Sequence, residues 1–347
     1  MAMDIATFVV VVVVILGLIF EFVNGFHDAA NAIATVVATR VLKLQVAVAM
    51  AATLNFVGAV SGTAVAATVG KGLVDSHVVT QGMVAIALIT AILWDLLTWY
   101  FGLPTSSSHA LLFAVLGASV AMAGPSVVIL GGLEKIVIGL VYSPIFGLIG
   151  GGAVMIAIYW LFRRVPAARV SAVFGRLQLI SLAYMAFSHG GNDGQKTMGV
   201  IALALFSANL LGPTFYIPTW VMIAAAIAMG LGTLFGGWKI IKTMGVGLVH
   251  LQPVNGFAAE TAAGTVIEVA TRLGMPISTT HAISGAILGV GSARSARNVR
   301  WGVARSIVAA WVFTLPGCFG GGWVLMTVAL FMEHGAVSLG LLTGALG

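Results

Sequence analysis

A stretch of seventeen residues occurs twice in this chain, and each copy interrupts a hydrophobic run with a helix start. The first copy is GLPTSSSHALLFAVLGA, from Gly102 to Ala118, and the second is GMPISTTHAISGAILGV, from Gly274 to Val290. Gly, Pro, Ser, His, Ala, Ala, Leu and Gly recur in register. Each copy has a helix-ending Pro, a short hydroxyl run, a His and then an apolar helical run. Pro followed by Ser or Thr is a helix-start signal. A helix N-terminus presents unpaired N–H groups and the positive end of the helix dipole, which suits an oxyanion. Two such termini, with Ser106, Ser107 and Ser108 and with Ser278, Thr279 and Thr280 adding hydroxyl donors, suit a small tetrahedral anion.

Composition settles the solvent. Of 347 residues, 60% are hydrophobic and only 7% charged, with a mean hydropathy of +1.10. An ordinary soluble domain has about 25% charged residues. The chain is therefore a polytopic membrane protein in contact with a lipid bilayer, without a large soluble domain. Its 44 glycines fit close helix packing and broken helices in a membrane. The net charge of +6 does not indicate nucleic-acid binding, because the basic residues sit in short loops between spans. Cys318 is the one cysteine, so neither an intrachain disulfide nor a Cys metal site is expected. The apolar run from Ile5 to Phe20 lacks a basic leader and runs into a polar motif, which reads as a first span rather than a signal peptide.

Other pairs recur in the same order as the Ser/Thr motifs. Gly25–Asp28 (GFHD) matches Gly190–Asp193 (GGND), Asn55–Gly62 weakly matches Gly232–Gly236, and IVIGLVYSPIFGLIGGG resembles IVAAWVFTLPGCFGGG. An internal duplication explains them. The expected fold is an all-α polytopic membrane protein of about ten to twelve transmembrane segments, in two inverted-topology repeats with broken or re-entrant helices. Residues 1–162 are the first repeat, 163–176 a basic linker and 177–347 the second repeat. With about five crossings per half, the loops holding Arg40, Lys43, Arg163–Arg176, Lys239, Lys242 and Arg294–Arg305 share one side. Lys71, Lys135 and Arg272 take the other. The positive-inside rule then places the central loop in the cytoplasm and both termini outside. If the Ser/Thr motifs are re-entrant hairpins, the last Arg loop changes side.

Inverted repeats with discontinuous helices are a signature of secondary transporters, whose substrates bind near the midplane. Asp28 and Asp193 lie at equivalent places in apolar runs. A carboxylate there costs about 2.5–3.5 kcal/mol even on the mildest scale, so function is the default reading. Asp28 and Asn31 share a helix face and could coordinate Na⁺, or Asp28 could take a proton; Asn192 and Asp193 offer the same in the second half. Lys196 corresponds to Asn31. Its spacing favours an ion pair with Asp193 over direct contact with an anion. His27 is either a titrating group or a packing residue. His109 and His281 either brace their hydroxyl turns or touch substrate. Glu260 and Asp95 are further carboxylates in apolar context, as gate or ion-site residues or as partners of a Lys or Arg.

VNGFHDAANAIATVVATR, SHGGNDGQKTMGV and GMPISTTHAISGAILGVG resemble the paired signatures of the PiT inorganic phosphate transporter family, and the resemblance runs from Phe22 to about Gly322. It implies inorganic phosphate as substrate, cation coupling, a homodimer and no cofactor. It implies phosphate binding by Ser106, Ser107, Ser108, Ser278, Thr279 and Thr280, and coupling-cation binding by Asp28, Asn31, Asn192 and Asp193. Asp28 and Asp193 would ligate the metal if the coupling ion is Na⁺. His27, Lys196, Gln195, Glu260 and Asn255 are accessory candidates. Many sodium-coupled members resemble Asn-Asp where this chain has His27-Asp28. The FHD form resembles bacterial members that use protons and carry phosphate as a neutral complex with Mg²⁺ or another divalent cation. The expected function is therefore phosphate import across the cytoplasmic membrane by symport with H⁺ in preference to Na⁺. The rival functions are transport of another oxyanion such as sulfate, and an intramembrane Ser/His hydrolase. The hydrolase is disfavoured because Ser108 and His109 are adjacent, so their side chains diverge on a helix, and no G-x-S-x-G or H-E-x-x-H motif is present.

Overall fold

A computed structural model describes residues 5–338, with side chains from 7 to 334. The first half contains α1 (Ile5–His27), α2 (Ala29–Ala38), α3 (Leu44–Ala59), α4 (Ala64–Gly72), α5 (Gln81–Phe101), α6 (Ser107–Ala123) and α7 (Leu130–Leu161). The second contains α8 (Ala167–Ser207), α9 (Thr219–Phe235), α10 (Trp238–Lys242), α11 (Pro253–Arg272), α12 (Thr279–Ser292) and α13 (Trp301–Ser338). The order of events repeats. The α3–α4 pair bends by 65° and α9 with the helix that follows it bends by 62°. A single 3₁₀ turn precedes α7 and another precedes α13. Both of those long helices carry an internal proline, Pro144 and Pro316. Even the two isolated β-bridges correspond, Val74 with Val128 and Val249 with Val299.

The breaks follow from local chemistry. Gly102 and Gly274 adopt positive φ, +67° and +65°, and end α5 and α11. The next amide closes the turn in each: Leu103 N–H to Thr98 C=O at 2.9 Å and Met275 N–H to Ala270 C=O at 2.8 Å. This left-handed C-terminal turn satisfies carbonyls that would otherwise be orphaned. Pro104 or Pro276 then prevents the helix from resuming, and Ser106 or Ser278 starts the next one by accepting the N–H of His109 or His281.

The halves interlock. α7 lies along α12, and α13 lies along α6, so each half's closing helix clasps the other half's Ser/Thr helix. Backbones meet at glycine in both contacts. A Cβ on Gly117 would fall 2.0 Å from the Phe319 carbonyl, and one on Gly289 2.0 Å from that of Leu148.

Among the described residues, five helices are long and apolar enough to span a bilayer, with α1 and α2 taken together as one, and the two bent pairs bring the number to seven. The expected ten to twelve is reached only by counting α11, which carries Glu260 and Glu268, and the shorter α6 and α12. The 17 residues of α6 rise about 26 Å, less than a hydrocarbon core of about 30 Å. The stretch 163–176 is mostly helix: α8 starts at Ala167 and continues for 41 residues through the Asp193 motif. At one end of the molecule Arg40, Lys242 and Arg300 line a common cavity of about 610 Å³. Lys71 and Lys135 meet at the other. The helix α8 joins these ends, with Gly175 beside Val41 and Gly199 against Ala66 and Gly70. Those glycines are 24 residues apart, about 36 Å along a helix. Arg300 therefore stays on the side of Arg40, and the alternative in which the last Arg loop changes side is not adopted.

Candidate substrate and cation site

The joint between α1 and α2 places Asp28. Its backbone leaves the ideal helix at φ −93°, ψ 5°, while its N–H still reaches the Asn24 carbonyl at 2.8 Å. The side chain turns inward and is buried. His27 Nδ1 lies 2.7 Å from Asp28 Oδ1, and its Nε2 lies 3.1 Å from Thr98 Oγ1 on α5. Thr105 donates to the same Thr98 hydroxyl at 2.9 Å. Asn31 donates its amide to Thr279 and Thr280, at 3.2 and 2.9 Å, so the first half's polar turn is tied to the second half's hydroxyl run.

Asp193 sits on the unbroken α8. Thr279 donates to its Oδ2 at 2.6 Å, and His189 Nε2, one turn earlier, lies 3.2 Å from the same oxygen. Lys196 pairs with Oδ1 and also donates to Ser108 Oγ at 2.5 Å and to the Ile277 carbonyl at 2.6 Å. The hydroxyls cross between halves: Ser108 reaches Asp193 and Thr280 reaches Asp28, each at 3.5 Å. Asp28, His189 and Asp193 each present one ligand atom within 4.8 Å of the other two. Two carboxylates and an imidazole held that closely suit a cation, and the hydroxyls beside them suit an anion.

The six expected hydroxyl residues are all buried and all at the two helix starts. Ser106 and Ser278 use their lone pairs as caps. Ser108, Thr279 and Thr280 bridge to the carboxylates, and Ser107 stands beside Ser108 in the first turn of α6. His109 and His281 pack edge to face behind the two motifs, with ring centres 4.5 Å apart, and Trp311 covers His281 at 3.8 Å. The two helix starts therefore meet through these rings.

Several expected residues stand elsewhere. Asn192 donates to Thr271 at 2.8 Å and to the Met275 carbonyl at 3.2 Å, fastening the extended approach to α12 instead of facing the carboxylates. Gln195 accepts the Val65 N–H at 2.9 Å and anchors the start of α4. Asn255 is part of the capping box that begins α11. Glu260 forms a separate buried node, accepting from Thr35 at 2.5 Å, from Gln178 at 3.0 Å and from Ser181. Asp95 is buried one turn before Thr98 on α5. Sequence reasoning passed over His189 and Thr98. The signal for His189 was its spacing of four from Asp193, which puts both on one helix face; Thr98 reaches the site only through the packing of α5 on α1. A further buried carboxyl, Glu21, accepts from Asn24 at 3.4 Å and from Thr197.

Comparison with known proteins agrees with this geometry. A sequence profile described as "Phosphate transporter family" matches residues 24–322. A "probable low-affinity inorganic phosphate transporter" of Rhizobium meliloti is 48% identical over 300 residues, covering 86% of this chain and 90% of that protein. One of the same description from Bacillus subtilis is 45% identical over 316 residues, covering 90% and 95%. A solved structure titled "The sodium-dependent phosphate transporter" superposes with a TM-score of 0.83 at 25% identity, covering 94% of this chain and all of that one. Profile, relatives and architecture converge, and this chain belongs to the phosphate transporter family.

Proposed function

We propose that the protein carries inorganic phosphate across the cytoplasmic membrane by symport with a cation, H⁺ in preference to Na⁺. The observation that carries this reading is the meeting of two hydroxyl-bearing helix starts with two intramembrane carboxylates, each carboxylate contacted by a hydroxyl from the opposite half. The anion sits between the helix starts, where N–H groups and the hydroxyls of Ser107, Ser108, Thr279 and Thr280 replace its water. A nearby carboxylate accepts a hydrogen bond from protonated phosphate and repels sulfate, which has none to give. Cation binding at the carboxylates lowers the local negative charge and admits the anion. Rocking of one half against the other then alternates access. The basic end with Arg40, Lys242 and Arg300 faces the cytoplasm on the positive-inside rule.

Proton coupling is supported by His27, held against Asp28 at 2.7 Å, since an imidazole is the side chain most readily titrated near neutral pH. Sodium coupling is the second reading, favoured by the close approach of Asp28, His189 and Asp193. The hydrolase reading loses support, because Ser108 is engaged by Lys196 and Asp193 while the His109 ring packs on His281. A lysine held in an ion pair is a donor and not the base that a nucleophile needs.

The test is phosphate uptake into proteoliposomes under an imposed H⁺ or Na⁺ gradient, with and without Mg²⁺, and with sulfate as competitor. Uptake driven by H⁺, enhanced by Mg²⁺ and indifferent to sulfate is expected. Drive by Na⁺ alone would replace the proton reading, and displacement of phosphate by sulfate would overturn the substrate.

A further inference from the structure

The two halves differ at the site in one permanently charged residue. Three residues after Asp28 the chain has Asn31; three residues after Asp193 it has Lys196. The Lys196 ammonium is buried, 2% exposed, with oxygen neighbours from three separate elements. These are the Asp193 carboxylate on α8, the Ser108 hydroxyl on α6 at 2.5 Å, and the Ile277 carbonyl in the approach to α12 at 2.6 Å. Carbonyls of unwound segments hold the coupling cation in broken-helix transporters, and an intramembrane carboxylate and a hydroxyl beside such a carbonyl add oxygen donors suited to the same monovalent cation.

The duplication supplies the same three groups to the first half. Asp28 answers to Asp193, Thr280 to Ser108, and the Thr105 carbonyl to that of Ile277. Thr280 lies 3.5 Å from Asp28, as Ser108 does from Asp193. The counterpart of Lys196 there is a neutral amide, which donates to Thr279 and Thr280.

We propose that the Lys196 ammonium is a resident cation, occupying in the second half the place of a mobile coupling cation, so that the exchanging cation is the one held at Asp28. Each phosphate then travels with one cation fewer than in a carrier whose two halves both carry Asn at this position. Asp193 keeps a positive partner throughout the cycle, and Lys196 fixes Ser108 at the anion site in both the loaded and empty states. The inference rests on the transport reading for its consequence but not for its test.

The test counts bound ²²Na⁺ at saturation on the purified full-length protein, for the wild type, Lys196→Asn, Lys196→Gln and Lys196→Arg, all purified in saturating NaCl. One more Na⁺ per chain is expected in Lys196→Asn than in the wild type, with the Arg variant at the wild-type count. In proteoliposomes the Asn variant is expected to become Na⁺-dependent for phosphate uptake. An unchanged Na⁺ count in a folded Asn or Gln variant overturns the proposal. So does failure of both neutral variants to fold in saturating NaCl while Lys196→Arg folds, because Na⁺ should then have taken the vacated place. Failure of the wild type to carry phosphate would instead sink the transport reading and leave the Na⁺ count to decide this one.

Discussion

Asp28 and Asp193 occupy matching positions and have unlike partners, so their removal should not cost the same. Asp193→Asn leaves the buried Lys196 ammonium without its carboxylate. Breaking a buried pair from one side typically costs about 3–5 kcal/mol. Asp28→Asn leaves a histidine beside it, which can be neutral. Both variants are expected to lose phosphate accumulation, but Asp193→Asn should melt well below Asp28→Asn in detergent. Equal melting temperatures would mean that Lys196 is not held by Asp193. Glu260→Ala makes a separate case, since it strands donors on Thr35, Gln178 and Ser181 away from the carboxylate pair. Each stranded buried donor costs about 1–3 kcal/mol. A lower melting temperature is expected, with Glu260→Gln intermediate; a Glu260→Ala protein as stable as the wild type would contradict the node. The carboxylates and hydroxyls were legible in the sequence because a polar group inside an apolar run needs a reason. The accessory amides were not. Gln195 and Asn255 satisfy helix starts, and no spacing rule distinguishes an amide that caps a distant helix from one that faces a site.

At the level of helices, the crossing of α3 and α8 governs the site. A Cβ on Gly190 would lie 2.1 Å from the Asn55 carbonyl, and one on Gly58 2.0 Å from that of Phe187. The symmetric crossing of α1 and α9 repeats the contact, with Gly25 against Met229 and Gly232 against Phe22, at 2.3 and 2.1 Å. Asn55 is also 3.0 Å from His189 Nδ1, so backbone approach and site geometry are set by the same contact. Gly190→Val must push α3 away or strain α8, at about 1–3 kcal/mol for overpacking. The His189 ring should lose its support as well, so a fall in uptake is expected beyond the fall in folded yield. Uptake per folded molecule equal to that of the wild type would show that the crossing is only structural. Helix ends at Pro104, Pro276 and the left-handed glycines were legible from local chemistry. The unbroken passage of α8 through GGNDG was not. Glycine costs a helix about 1 kcal/mol each, and the close contacts with α3 explain why this stretch stays helical. The helical start of 163–176 was hidden for a related reason: its charge reads as loop, while its membrane continuation decides its conformation.

Across the whole molecule, charge and closure go together. The carboxylates and hydroxyls of the candidate site are sealed from solvent, with Asp28 and Asp193 2% and 1% exposed and the hydroxyl residues buried. Apart from the buried Lys196, the basic side chains are exposed, with Arg40, Lys242 and Arg300 at one end of α8 and Lys71 and Lys135 at the other. The division of charge was legible from loop composition alone, whereas the number of spans was not, because α6 and α12 take part in the membrane fold without the length of a crossing helix. Sidedness can be measured directly because Cys318, the chain's one cysteine, is buried. In a Cys318→Ala background, Arg40→Cys and Arg300→Cys should react with an impermeant maleimide only from the cytoplasmic face. Lys71→Cys and Lys135→Cys should react only from the outside. Labelling of Arg40→Cys and Lys71→Cys from the same face would break the arrangement. Agreement within each pair with the two faces exchanged would keep the fold and reverse the orientation taken from the positive-inside rule. The central pair makes the sharper test: Ser107→Cys and Thr279→Cys, at equivalent places in the two halves, should become reactive from opposite faces as the protein cycles. Phosphate should protect both. Reactivity of both from one face under every condition would rule out a rocking of one half against the other across the His109–His281 contact.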